Sequence, residues 1–229
     1  MRPTRITKAM ATADDDNVSL SQTPAGAGNL LINGVAAAGS PALATLDTPR
    51  RILLTFAASE VGHTFVVYGY PTIADRSAPI SETIAGTGIG TVSSTLDFGQ
   101  VTRVSISAAA TGAIKVGTSG VGSTPWQLVD WNLDPSNLTI AVDVVGTVNY
   151  TVQYTYDDIM GAYDPSSGVW ADGVVTKIFD DAVLAAVTAD GETTFDNPIV
   201  AWRVTTNSST APGSLRITGI QAGVGGIGS

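Results

Sequence analysis

Gly146-Thr147-Val148-Asn149-Tyr150-Thr151-Val152-Gln153-Tyr154-Thr155-Tyr156 alternates apolar and polar residues without interruption. Val148, Tyr150, Val152, Tyr154 and Tyr156 share one parity, and Thr147, Asn149, Thr151, Gln153 and Thr155 share the other. Successive side chains of a strand point to opposite sides, so a period of two describes a strand with one face buried and one wetted. A helix would scatter the same residues around its circumference. The pattern recurs in Leu138, Ile140, Val142 and Val144, with Asn137, Thr139 and Asp143 between them, and in Val104 and Ile106 beside Ser105 and Ser107. Twenty-five glycines and 11 prolines fall largely in short clusters between such runs, as expected of strands joined by turns. The sequence therefore predicts an all-β, antiparallel fold. One stretch departs from it: Ile178, Phe179, Val183, Leu184 and Val187 lie near helical spacing within 174–187, where a short helix and an irregular excursion fit equally.

The chain also echoes itself. Ile52, Leu54, Phe56, Val66, Tyr68 and Tyr70 align with Leu138, Ile140, Val142, Val152, Tyr154 and Tyr156 at a constant offset of 86 residues. Downstream, Phe98, Val101, Val104, Ile106, Gly112, Ile114 and Val116 are answered by Phe195, Ile199, Trp202, Val204, Gly213, Leu215 and Ile217 at a larger offset. Repetition of two strand pairs in one order predicts two related β-sandwich modules, jelly-roll-like or immunoglobulin-like, over 29–120 and 121–229. Residues 1–28 lack sustained periodicity and end in Thr23-Pro24-Ala25-Gly26-Ala27-Gly28, so they read as an extended N-terminal arm.

Composition narrows the function. Charged residues make up 14% of the 229, against roughly 25% in an average soluble domain, and the formal net charge is −9. The 11 Lys and Arg are scattered, which offers no basic face for a phosphate backbone and disfavours nucleic acid. There is no cysteine, so disulfides, thiolate nucleophiles and cysteine-based zinc sites are excluded together. No run of about 18 apolar residues is available to span a membrane as a helix. Asp14-Asp15-Asp16 follows the basic start too closely for a secretory leader.

Catalysis needs convergent titratable groups, and few are visible. The one histidine, His63, precedes a strand and reads as a solvated loop residue. Asp157-Asp158 and Asp180-Asp181 offer hard oxygen ligands, but neither pair sits in a recognisable calcium loop, so both read as solvated strand-end acids. Gly223-Val224-Gly225-Gly226-Ile227-Gly228 satisfies a dinucleotide pattern with no helix behind it to bind phosphate. Gly86-Thr87-Gly88-Ile89-Gly90 and Gly117-Thr118-Ser119-Gly120-Val121-Gly122 read as turns whose backbones demand positive φ. Asn137, Asn149 and Asn207 open glycosylation triplets, two of them inside expected strands. A non-enzymatic protein with no catalytic, metal or cofactor site follows as the expectation. Trp202 alternates with Val200 and Val204 and belongs to a core, whereas Trp126, Trp131 and Trp170 are candidates for contact with a partner or a glycan.

Several phrases carry a resemblance: Asp14-Asp15-Asp16-Asn17, Ser21-Gln22-Thr23-Pro24-Ala25-Gly26-Ala27-Gly28-Asn29-Leu30, Ala44-Thr45-Leu46-Asp47-Thr48-Pro49-Arg50-Arg51, Val116-Gly117-Thr118-Ser119-Gly120-Val121-Gly122-Ser123-Thr124-Pro125-Trp126, Gly146-Thr147-Val148-Asn149-Tyr150-Thr151-Val152-Gln153 and Ile220-Gln221-Ala222-Gly223. With these the chain resembles head-associated structural proteins of tailed bacteriophages. The resemblance implies a decoration or cement protein on the capsid exterior of the virion, with the major capsid protein as partner and a homotrimer at capsid threefold positions. It carries over no active-site residues. In that setting Arg2, Arg5 and Lys8 become candidates for contact with an acidic capsid surface. The rival expectation is a glycan- or receptor-binding module of a tail fibre or adhesin, which would expose Trp126, Trp131 and Trp170 in a groove.

Overall fold

The alternation at residues 147–156 is realised inside a strand of 23 residues, Leu133–Thr155. The computed structural model describes residues 4–10, 12–71, 79–130, 133–159, 163–164, 169–170 and 177–225. Among them every regular element is a strand: β1 (Thr4–Met10), β2 (Asp14–Gln22), β3 (Gly28–Asn29), β4 (Ala37–Ala38), β5 (Leu43–Phe56), β6 (Thr64–Tyr70), β7 (Ile80–Ala85), β8 (Gly90–Ile106), β9 (Ile114–Ser123), β10 (Gln127–Leu128), β11 (Leu133–Thr155), β12 (Tyr163–Asp164), β13 (Val169–Trp170), β14 (Phe179–Asp180), β15 (Gly191–Phe195) and β16 (Ala201–Gly225). The chain is all-β, as the alternation predicts. It divides into two compact units, Ala11–Ser123 and Met1–Met10 with Thr124–Ser229.

In the unit of residues 11–123 the strands run antiparallel in the order β2-β9-β5-β8-β6-β7, with β3 added to β8 and β4 to β5. β8 is shared between two neighbours. It pairs with β5 from Gly90 to Val101, across register shifts, and with β6 from Gln100 to Ile106, so that Gln100 and Val101 are paired on both sides. Ile52, Leu54 and Phe56 from β5, Phe65 and Val67 from β6, Val101, Val104 and Ile106 from β8, and Ile114 and Val116 from β9 close the core. A bulge at 46–49 in β5 is fixed from both sides: Thr48 Oγ1 donates to the Ser123 carbonyl at 2.7 Å, and the Arg50 guanidinium donates to both carboxylate oxygens of Asp47 at 2.6 and 2.7 Å. Arg50 is 1% exposed, while Asp47 remains one-third open to water.

In the other unit, β11 and β16 form one long antiparallel ladder from Leu133↔Gly225 to Thr155↔Ala201, interrupted by three irregularities. β15 and β14 pair along β11, and β1 and β10 along β16. Val148, Tyr150 and Val152 face the core with Leu138, Ile140, Val142, Trp202, Val204, Leu215 and Ile217. β12 and β13 pair only with each other.

The same register occurs in both units. Leu54 lies between Val116 and Val92, and Phe56 between Ile114 and Gly90. Ile140 lies between Gly219 and Thr193, and Val142 between Ile217 and Gly191. Further along the chain Phe65↔Ile106 and Val67↔Val104 correspond to Tyr150↔Thr206 and Val152↔Val204, all of them buried. The constant offset expected from sequence is therefore corrected. It is 86 at Ile52/Leu138 but 85 at Phe65/Tyr150, because the second unit has one residue fewer between these positions, where β11 continues through a register shift at 145–147. Parity shows which is right: Phe65, Val67 and Gly69 are buried, whereas Val66, Tyr68 and Tyr70 are half-buried. A one-residue slip exchanges the faces of a strand.

Two further expectations change, and over 177–187 the irregular alternative holds. Residues 1–28, expected as an extended arm, contribute β1 to the unit of residues 124–229 and β2 to the unit of residues 11–123. The glycines of 117–122 are not turn residues but part of β9. A Cβ on Gly117 would fall 1.9 Å from the Asp14 carbonyl oxygen, so glycine there admits the backbone of β2. Within 174–187, residues 177–187 form no helix, and 174–176 lie outside the described residues. Asp181 Oδ1 accepts from the N–H groups of Val183 and Leu184, and Asp181 Oδ2 from the Thr193 hydroxyl; capture of local N–H groups by a carboxylate favours a turn over helix propagation.

Candidate interaction surfaces

Three loops meet at one end of the unit of residues 11–123: 57–63 after β5, 86–89 after β7 and 107–113 after β8. Glu60 holds them together. Its side chain is fully buried; Oε1 accepts from the N–H groups of Thr111 (2.9 Å) and Gly112 (3.0 Å), and Oε2 lies 2.6 Å from His63 Nδ1. The Glu60 N–H donates to the Thr87 carbonyl and the Gly86 N–H to the His63 carbonyl, both at 2.8 Å. Four contacts from one residue and its partner thus fix the relative positions of the loops. On this rigid base, Val61 is 71% and Ile89 78% exposed. His63, expected as a solvated residue, is instead four-fifths buried against Glu60. Nothing in the periodicity points to Glu60, since it lies in a turn and its partners are backbone groups.

In the other unit the corresponding stretch is no turn but the middle of β11, beside its register shift at 145–147. Asp190 Oδ1 accepts from the Val144 N–H at 2.7 Å, and Val145 beside it is 65% exposed. Tyr150, underneath, donates its hydroxyl to the Ala189 carbonyl at 3.1 Å. Burial, with the Asp190 carboxylate as the second cause, pushes the Tyr150 phenol up to about 12.

Of the tryptophan candidates, the described side chains include only that of Trp126. Trp126 is half-buried, with the Arg203 guanidinium 4.8 Å from its ring centre. Arg203 Nε donates to Gln153 Oε1, and Gln153 Nε2 to Asp180 Oδ1, so a line of polar contacts crosses β16, β11 and β14 from that ring. One face of Trp126 is thus occupied by a cation from its own unit. Trp131 lies outside the described residues, and the backbone of Trp170 pairs with Tyr163 in the small β12–β13 ladder. Trp202 is core, as expected, and packs so closely on Gly219 that a Cβ there would fall 2.7 Å from its ring. Sequence reasoning passed over a different aromatic group: Tyr154, Tyr156, Phe179 and Phe195 have ring centres 5.2–5.6 Å apart along their contacts, and Tyr156 and Phe179 are exposed. Its signal was the run of tyrosines at 150–156, which was read only as core.

Of the basic candidates, Arg2 lies outside the described residues. Arg5 is exposed on β1, and Lys8 lies on the same strand. The acidic stretch is partnered within the unit: Asp14, Asp15 and Asp16 have carboxylate oxygens within 4.8 Å of one another, and Lys115 Nζ lies 2.9 Å from Asp15 and 3.8 Å from Asp16. The hydrogen bond to Asp15 is the main cause holding the Lys115 ammonium above its usual range. Asp180 and Asp157 are likewise engaged, with Gln153 and with the Lys177 N–H.

Compared with known protein families, with curated proteins and with solved structures, the chain matches none. The fold and the surfaces above are therefore the basis of any functional reading.

Proposed function

We propose that this chain is a non-enzymatic structural protein of a virion, a capsid decoration or cement protein made of two related β-sandwich modules. It docks on the major capsid protein at the capsid exterior, as a homotrimer, and stabilises capsomer junctions. The observation that carries this reading is the pair of exposed apolar side chains, Val61 and Ile89, on loops that the buried Glu60 holds rigid. Exposed apolar groups on immobilised loops associate without first losing much conformational freedom, which favours docking on a preformed protein surface. A net charge of −9 and Ser/Thr-rich faces favour solubility before assembly, and many copies on one lattice multiply weak contacts. The sequence resemblance to phage head proteins points the same way.

The test is reconstitution of particles of the source virus stripped of this protein. The double variant Val61→Asp/Ile89→Asp, folded by circular dichroism, is expected to fail to cosediment with particles and to leave their rupture temperature at that of the stripped form. Binding and protection equal to the unaltered chain would overturn the reading. So would retention by host cells rather than by capsids, which is the outcome for an adhesin.

A further inference from the structure

β1 is the one strand of its unit that the chain supplies from before residue 124. It pairs with β16 in seven consecutive antiparallel pairs, from Thr4↔Gly219 to Met10↔Gly213. Little else described anchors it. Of its described side chains Ile6 is half-buried against the core and Arg5 and Thr7 are exposed, while the ladder runs the whole length of the strand. The receiving stretch of β16 is well anchored, with Leu215 and Ile217 fully buried. Without β1, that stretch would present a row of unpaired N–H and C=O groups, a template for another strand. Only residues 11–13 separate β1 from β2, which belongs to the other unit.

We infer that β1 is an exchangeable strand, and that in assembled protein the β1 of one copy completes the β16 edge of a second copy. Every copy carries the same strand and the same edge, so exchange breaks and makes one set of seven pairs. The balance then rests on loop closure against the local concentration of neighbours. Crowding of copies on a surface raises the effective concentration of neighbouring strands and so favours exchange. The contact is head-to-tail, and three copies that close it form a ring in which each gives and receives one strand. That ring would tie together the trimer of the proposed function, but the exchange itself needs no capsid and is tested without one.

The absence of cysteine makes the test clean. Thr7 and Arg216 stand opposite each other in the ladder, at a spacing a disulfide bridges. Two single variants, Thr7→Cys and Arg216→Cys, the second isotopically labelled, are refolded together at high protein concentration and mildly oxidised. Neither can form an internal disulfide, so a Thr7→Cys/Arg216→Cys linkage arises only between copies. The expected result is a mixed disulfide in large excess over both like-with-like dimers, suppressed by a synthetic peptide of residues 1–12. Mixed and like dimers in the proportions of random collision would overturn the inference. If either variant fails to fold, Arg5→Cys with Thr218→Cys tests the same ladder. In a single chain carrying both Thr7→Cys and Arg216→Cys, oxidation is expected to give internally closed monomer when dilute and linked multimers when concentrated; monomer at every concentration would also overturn it.

Discussion

Replacing Glu60 by alanine is the sharpest perturbation of the loop end. It removes two charge-assisted bonds from backbone N–H groups and the contact with His63, all to a carboxylate with no exposure to solvent. Bonds to a charged acceptor contribute roughly 1.5–3 kcal/mol each when buried. Thr111 is exposed and Gly112 half-buried, so water recovers part of what their N–H groups lose. Taking about 1–1.5 kcal/mol for each of three contacts gives a loss of ~3–4.5 kcal/mol. Glu60→Gln keeps an oxygen for the two N–H groups and loses only the charge, and should cost about half as much. For a unit of this size, each kcal/mol lowers the melting temperature by about 3–6 °C. All four tryptophans lie at or beyond residue 126, so their emission follows the unit of residues 124–229, whereas calorimetry follows both units. The expected outcome is a lowered calorimetric transition for Glu60→Ala with the tryptophan-reported transition in place, and a partial rescue by Glu60→Gln. A cost below about 1 kcal/mol, or no difference between the two variants, would refute the view of Glu60 as the clamp of three loops.

Two other predictions follow from buried polar groups. Arg50→Ala leaves a cavity and should cost ~3 kcal/mol by urea unfolding, whereas Arg50→Met restores the aliphatic packing beside Gly122 and should cost only about 1 kcal/mol, since Asp47 is open enough to rehydrate; equal losses would show that the charge pair, not the packing, is decisive. Tyr150 ionises at about 12 in the fold against about 10 when unfolded, so the stability it contributes is fully present below pH 10 and is lost, by up to ~2 kcal/mol, as pH rises to 12. Tyr150→Phe should be weaker by about 1 kcal/mol at neutral pH, for want of the bond to the Ala189 carbonyl, yet show a shallower decline of stability between pH 10 and 12; the slope left over belongs to groups such as Tyr154, which burial also raises.

Val148, Tyr150 and Val152 were legible as an inward face because β11 has one covered side there and alternation records it directly. Lone edge strands record less: β2 buries Val18 and Ser19 along nine residues, and its remaining side chains follow no alternation that a strand template would detect. β9 was misread for a different reason. Its glycines are set by the backbones that press on them, Asp14 on Gly117 and Pro49 on Gly122, and a close approach between distant segments leaves no local pattern. Glu60 was illegible for the same cause. A carboxylate that satisfies backbone N–H groups 51 and 52 residues away carries no spacing by which sequence could pair it with them.

The two units show how such groups are selected. Both keep the ladder registers around Leu54 and Ile140, where a shift of one residue would turn a buried face outward. The segments between those registers are bound only by the need to satisfy N–H groups and stay in place. In one unit a carboxylate on the loop after β5, Glu60, captures N–H groups of the loop after β8; in the other a carboxylate before β15, Asp190, captures the N–H of Val144 within β11, beside its register shift at 145–147. In each unit a carboxylate thus fixes the backbone beside an exposed valine, Val61 in one and Val145 in the other. Such a position is set by geometry rather than by a residue string. Val61 and Val145, each within its own unit, are therefore positions at which substitution should leave the core undisturbed.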